Sequence, residues 1–125
     1  MTTALHSIAI FVTDLDKARH FYEEQLGLPV HQAGSFGFQF LEQPPHLGVH
    51  PATHPDARAM VGRHTGITFR MTGLVERCSA LGHEGVTFVA EPTQQGFGIM
   101  ALVADPDGNV VALWEDNVTP PEGVA

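Results

Sequence analysis

Hydrophobic and polar residues alternate along Ser7-Ile8-Ala9-Ile10-Phe11-Val12, placing Ile8, Ile10 and Val12 on one side of a strand and Ser7, Ala9 and Phe11 on the other. Asp14 then offers an N-cap, and Leu15, Ala18, Phe21, Tyr22 and Leu26 follow at helical spacing until Gly27, which suits a left-handed C-cap. A helix over 15–26 is predicted. Residues 28–31 and 36–41 read as strands around the turn formers Ala33-Gly34-Ser35, and 47–50 as a short fourth strand after Pro44-Pro45. The order then returns. Ser7 through Leu15 has its counterpart in Gly66 through Leu74, a displacement from 7 to 66 of 59 residues. The second copy predicts a strand at 66–71, a helix from 74 to about 81, a strand at 86–90, and a hairpin of 98–104 with 109–114 across Asp105-Pro106-Asp107-Gly108.

Each copy is a βαβββ module, so the expected class is α+β with two modules in tandem. Module one spans 4–50, a joint rich in Pro and Gly spans 51–63, and module two spans 64–116. A tail at 117–125 carries Pro120, Pro121 and Gly123 and is expected to fray. A length of 125 residues with 43% hydrophobic and 16% charged positions suits one domain, 4–116, with a core of its own.

A formal charge of −8 with six Lys and Arg argues against nucleic acid and anionic membrane as partners, since phosphate contacts need cations. No window approaches the ~18 apolar residues of a membrane span, and the N-terminus lacks a basic segment leading into an apolar run. Cys78, the single cysteine, cannot form an internal disulfide, which fits a reducing cytoplasm; within the second helix's apolar stripe it reads as a small buried hydrophobe.

A strand x-I-A-x-x-V-x-D-L entering a helix that ends F-Y-x-x-x-L-G-L, a second copy, and a closing D-P-D-G-N hairpin resemble the vicinal oxygen chelate superfamily. That group includes glyoxalase I, ring-cleaving extradiol dioxygenases, fosfomycin-resistance enzymes and bleomycin-resistance proteins. The resemblance covers residues 5 to 116. It implies curved mixed sheets forming a cup with helices on the convex side, a homodimer, and, in enzymatic members, a divalent metal. The ligand positions it implies are Ser7, Gly66 and Ala112, with a further one near Gly48 in the fourth strand.

Gly and Ala have no side-chain donor and neutral Ser is a poor one, so the metal site is expected to be lost and no cofactor is expected. His6 and Glu115 fall on the opposite strand faces and cannot substitute without exposing the stripe under the helix. His50 and His64 share faces with Gly48 and Gly66, but two residues along a strand is about 6 to 7 Å. A rearranged site from His50, His64 and His46 is therefore the alternative. The i, i+4, i+8 row of His46, His50 and His54 is broken by Pro44, Pro45, Pro51 and Pro55, and His20, His31 and His83 read as surface residues. Asp105 to Asn109 resembles a calcium loop but has Val110 where Gly is required, and Gly96-Phe97-Gly98 lacks the setting of a phosphate loop.

On the cup-facing side the alternation collects Ser7, Ala9, Phe11, His50, Thr68, Arg70, Val110 and Trp114 as candidate ligand-binding residues. Trp114 offers a stacking surface and Arg70 a partner for a carboxylate or phenolate; otherwise Arg70 pairs with an acidic neighbour and Trp114 fills the core. Three functions stay open: a metal-free protein binding a small aromatic or anionic molecule; a metal-dependent lyase, isomerase or dioxygenase with displaced histidines, or a metal-free catalyst using Arg70 and His50; and an inert dimerising domain.

Overall fold

The computed structural model describes residues 2–117; the tail positions from 118 on lie outside the described residues. The described chain divides into two compact units. The first runs to Arg63 and includes Pro106–Gly108; the second holds His64–Asp105 and the residues from Asn109 onward.

The first unit runs β1 (Ser7–Val12), α1 (Leu15–Arg19) continued by a π-helical turn (His20–Gln25), β2 (Val30–Gly34), β3 (Gly37–Phe40), β4 (His46–Pro51) and a short α2 (Pro55–Arg58). Its sheet has the order β1-β4-β3-β2, with β1 parallel to β4 and the remaining pairs antiparallel. In the second unit, β5 (His64–Arg70), α3 (Leu74–His83), β6 (Thr87–Gln95), β7 (Gly98–Ala104) and β8 (Val110–Asp116) give the order β5-β8-β7-β6, again with one parallel pair, β5 with β8. The two four-stranded mixed sheets share one topology, as the repeated sequence pattern predicts.

Strand phase follows the hydrophobic alternation. Ile10, Val12, Leu47, Val49, Phe38 and Phe40 are buried on one face of the first sheet, with Ala18, Phe21, Tyr22 and Leu26 of the helical segment, and Tyr22 lies 6.0 Å from Phe40 between ring centroids. In the second unit Leu74, Cys78 and Leu81 of α3 are buried together with Val111 and Leu113 of β8. The other face of each sheet carries half-buried or exposed side chains such as Ser7, Ala9, Phe11, Thr68, Arg70 and Trp114, with the small residues Gly48 and Ala112 buried among them.

Several boundaries differ from the sequence expectation. The helix over 15–26 is not uniform, because the Leu26 N–H donates to the Phe21 carbonyl, five residues back, at 2.9 Å. This wider turn lets Phe21 and Leu26 align so that the neighbouring Phe21 and Tyr22 are both buried. The strand expected at 28–31 begins instead at Val30, because the Leu28 N–H still bonds the Tyr22 carbonyl and Pro29 has none to give. The turn expected at 33–35 sits at Ser35-Phe36, and β3 ends at Phe40 because Leu41 turns left-handed, φ 74°. Strand β6 continues past Ala90 to Gln95; it is an edge strand, where Pro92 costs no ladder bond. The joint holds the helix α2, which His54 caps by accepting from the Asp56 N–H at 3.1 Å.

Two carboxylates of the turn between β7 and β8 are structural. The Asp105 carboxylate accepts from the Asn109 backbone and side-chain N–H groups, both at 2.9 Å, and Asp107 accepts from the Thr13 N–H at 3.0 Å. Asp105 thereby closes the turn of the expected hairpin, and Asp107 ties that turn to Thr13 after β1.

Glu115 has the same kind of duty. Helix α3 has Gly73 as its N-cap and so no side-chain cap, and Glu115 accepts from the Gly73 and Leu74 N–H groups at 2.7 and 3.0 Å. Glu115→Ala is expected to lower stability to urea by about 2 kcal/mol, with Glu115→Gln keeping roughly half of the contribution, because bonds to a charged acceptor are about twice as strong. An unchanged urea midpoint in both variants would contradict this role.

Candidate functional site

On the open face of the first sheet the parallel register sets Ser7 beside His46, Ala9 beside Gly48 and Phe11 beside His50. Gly48 decides what stands there. A Cβ on it would lie 2.5 Å from His50 Nε2, so the imidazole folds back along its own strand and covers the glycine. The ring is fixed by a 2.8 Å bond between Nδ1 and the carbonyl oxygen of Phe36. A carbonyl can only accept, so Nδ1 carries the proton and, in the neutral ring, Nε2 carries the lone pair. Phe11 and Phe36 flank the imidazole at centroid distances of 6.1 and 6.4 Å.

Three further imidazoles gather near the start of β4. His46 bonds the Leu41 carbonyl at 2.7 Å, stacks on His31 at 5.4 Å and meets His6 edge-on at 5.3 Å. His31 is exposed, as the sequence reading has it, and so is His6, but both belong to a stack and not to isolated surface positions.

The second sheet repeats the plan with different chemistry. Thr68 pairs with Ala112 and Arg70 with Trp114 across β5 and β8. The Arg70 side chain is 74% exposed and its Nε lies 2.7 Å from Asp116 Oδ2, while the Trp114 indole N–H donates to Asp116 Oδ1 at 2.9 Å. Arg70 therefore has the acidic neighbour that was the alternative to a ligand role. Trp114 is half-buried on the open face and leans over Gly98, where any Cβ would overlap its ring. His64 and Val110 are register partners at the far end of the same strands.

An aromatic at each hairpin tip escaped the sequence reading. Phe36 and Phe97 sit in the two-residue turns between β2 and β3 and between β6 and β7, 45% and 58% exposed, and each precedes a glycine. The carbonyl of each is held, Phe36 by His50 Nδ1 and Phe97 by the Asn117 N–H at 2.8 Å. The recurring Phe-Gly pair, moved from 36 to 97, was the available signal.

The family model of the Glyoxalase/Bleomycin resistance protein/Dioxygenase superfamily matches residues 4–113. The chain belongs to this superfamily. It is 30% identical over 118 residues to the uncharacterized protein YurT of Bacillus subtilis (strain 168), covering 84% of this chain and 93% of that protein. A superfamily member from Sphaerobacter thermophilus DSM 20745 matches in structure with TM-score 0.76 and 25% identity over 92% of this chain and 98% of that one. TnmS3, an antibiotic binding protein from Streptomyces sp. CB03234, matches with TM-score 0.71 and 24% identity, covering 93% of this chain and 98% of that one.

The residues at the superfamily's expected ligand positions do not fit a divalent ion. Ser7, Gly48, Gly66 and Ala112 supply at most one neutral hydroxyl. Gly66 departs further: its φ is +76°, inside an irregular stretch where the β5–β8 register slips between His64 and Thr68, so a side chain introduced there meets backbone strain. The expectation that His50 falls a strand step away from Gly48 is corrected in one respect, since its side chain reaches back although its Cα does not. One imidazole is still one ligand. Among the described residues, no group of three or more His, Cys, Asp or Glu is arranged to hold a metal ion.

Cys78 adds no chemistry. It is buried at the floor of a cleft of about 230 Å³ lined also by Ser79, Gly82, His83, Phe88 and Glu91. Burial, with the nearby Glu91 carboxylate, pushes its thiol up and keeps it protonated.

Proposed function

We propose that this chain is a metal-free binding protein of the superfamily that takes up a small aromatic molecule on its open sheet faces. The observation that carries this reading is the exchange of side chains there. Positions expected to hold metal ligands have no donors, while Phe11, His50 and Trp114 stand beside them with Ala9, Thr68 and Val110. An anionic cargo is the weaker form of the reading, because Arg70 is already paired with Asp116 and an anion must displace that carboxylate. TnmS3, whose fold this chain shares, is described as an antibiotic binding protein, which supports an organic molecule as cargo on this scaffold.

The alternative, a metal-dependent lyase, isomerase or dioxygenase with rearranged histidines, has one observation in its favour, the placement of His50 Nε2 over Gly48. The binding reading includes a cytoplasmic homodimer, since β1 and β2 in one sheet and β5 and β6 in the other end in strand edges that need covering. Arg63 already guards one such edge by donating to the Ala9 carbonyl at 2.6 Å. Net acidity of −8 disfavours nucleic acid, and among the described residues no helix is long and apolar enough to cross a membrane.

Trp114 is the only tryptophan, so its emission reports on the second face alone. Titration with a panel of neutral aromatic compounds and aromatic acids is expected to quench it saturably, the neutral compounds more strongly. Absence of saturable quenching by any compound, together with an unshifted melting temperature, would remove the binding reading.

A further inference from the structure

The two open faces differ in what they leave uncommitted. In the second unit the Trp114 N–H and the Arg70 guanidinium both end on the Asp116 carboxylate. In the first unit the open face carries Ser7, Gln39, His46 and His50, and the position of the His50 ring is determined by three neighbours. Phe36 fixes the proton on Nδ1, Gly48 provides the space the ring fills, and Phe11 and Phe36 flank it. Among the described residues none donates to Nε2.

We propose that His50 Nε2 is a specificity-determining acceptor, selecting aromatic molecules that carry a hydrogen-bond donor, such as a phenol, over molecules of the same shape without one. The proposal rests on the binding reading above and narrows its cargo. A neutral imidazole held in this tautomer presents a lone pair beside Ala9, Gly48 and the two phenylalanine rings, with Gln39 the register partner of Gly48. An arriving O–H or N–H completes it. An aryl ether or an aryl hydrocarbon covers it and strips its water without replacing the bond, which is the costly outcome. A carboxylate brings a lone pair against a lone pair and is rejected on this face. The preorganisation is already built, because the Phe36 bond and the Gly48 vacancy hold the ring before a ligand arrives. Gly48 therefore acts here by being small, in the place where a metal ligand is expected from the superfamily.

The test uses a matched pair, 2-naphthol and 2-methoxynaphthalene, with the full chain labelled on histidine nitrogens and buffered about two units above the ordinary histidine range, ~6.5. Affinities come from calorimetry and the His50 Nε2 shift from long-range proton–nitrogen spectra. Wild type is expected to bind the naphthol roughly tenfold more tightly than its methyl ether, with Nε2 moving only for the naphthol. In His50→Phe, which keeps an aromatic ring, the preference is expected to fall to about twofold or less. Gly48→Ala should do the same by a different route, since the new Cβ displaces the imidazole tip, a flexible group that can swing away without unfolding the sheet. Equal affinities in wild type, or a preference that survives both variants, would overturn the role of His50 and leave aromatic binding in place. Failure of both compounds to bind would overturn the binding reading and this inference together.

Discussion

Replacing Gly37 by alanine is expected to lower the unfolding free energy by about 3 to 5 kcal/mol, combining backbone strain with steric overlap. Gly37 opens β3 with φ +112°, beyond the region where L-residues are comfortable, and a Cβ there would overlap the Val49 carbonyl and lie 3.1 Å from His50 Cα. Both obstacles are backbone of β4, paired directly with β3, so neither can move without opening the sheet. The expected loss is a large part of the ~5 to 15 kcal/mol available to a domain of this kind. Gly96→Ala is the control. It also has a positive φ, +53°, but nothing lies within 4 Å of its Cβ, so about 1 kcal/mol is expected from strain alone. Urea unfolding of the two variants measures the difference, and equal midpoints would show that β3 does not approach β4 as closely as described.

Gly98→Ala is expected to cost about 2 to 4 kcal/mol by overlap alone, with a visible effect on the binding face. A Cβ at 98 would strike the Trp114 ring and lie 2.5 Å from the Glu115 carbonyl. The ring can rotate away, but the carbonyl belongs to the β7–β8 ladder, where Gly98 faces Asp116 and Ile99 faces Glu115. Displacing the indole also breaks its bond to Asp116, so Trp114 emission is expected to shift to the red along with the lower melting temperature. A stable protein with unaltered emission would place Trp114 elsewhere.

Much of this architecture was legible because one pattern occurs twice. Alternation in β1 correctly divided buried Ile10 and Val12 from exposed Ser7, and the same phase in β8 put Leu113 in the core while Trp114 stayed half-buried. The boundaries were less legible where hydrogen bonding departs from a regular period. The π-helical turn at His20–Gln25 reads as ordinary helix in sequence, because the apolar positions 18, 22 and 26 satisfy both spacings.

The candidate site divides in the same way. Which face each residue occupies follows from parity; how far its side chain reaches does not. His50 illustrates the gap, since strand geometry places its Cα a full step from Gly48 and only the torsions of a side chain drawn to the Phe36 carbonyl bring Nε2 back. Arg70 illustrates the converse. Asp116 shares the face of Ala112 and Trp114, and with Arg70 paired to Trp114 the ion pair follows from alternation plus one register fact that the sequence lacks. Glu115, three residues from Ala112, faces the other way for a reason strand parity anticipates and helix capping explains.

The most direct test of the account is calorimetric titration of 2-naphthol before and after exhaustive dialysis against a chelator, with elemental analysis of both samples. The account predicts one affinity in both and no divalent ion near stoichiometry. Loss of binding on chelation, restored by adding back a divalent ion, would contradict it.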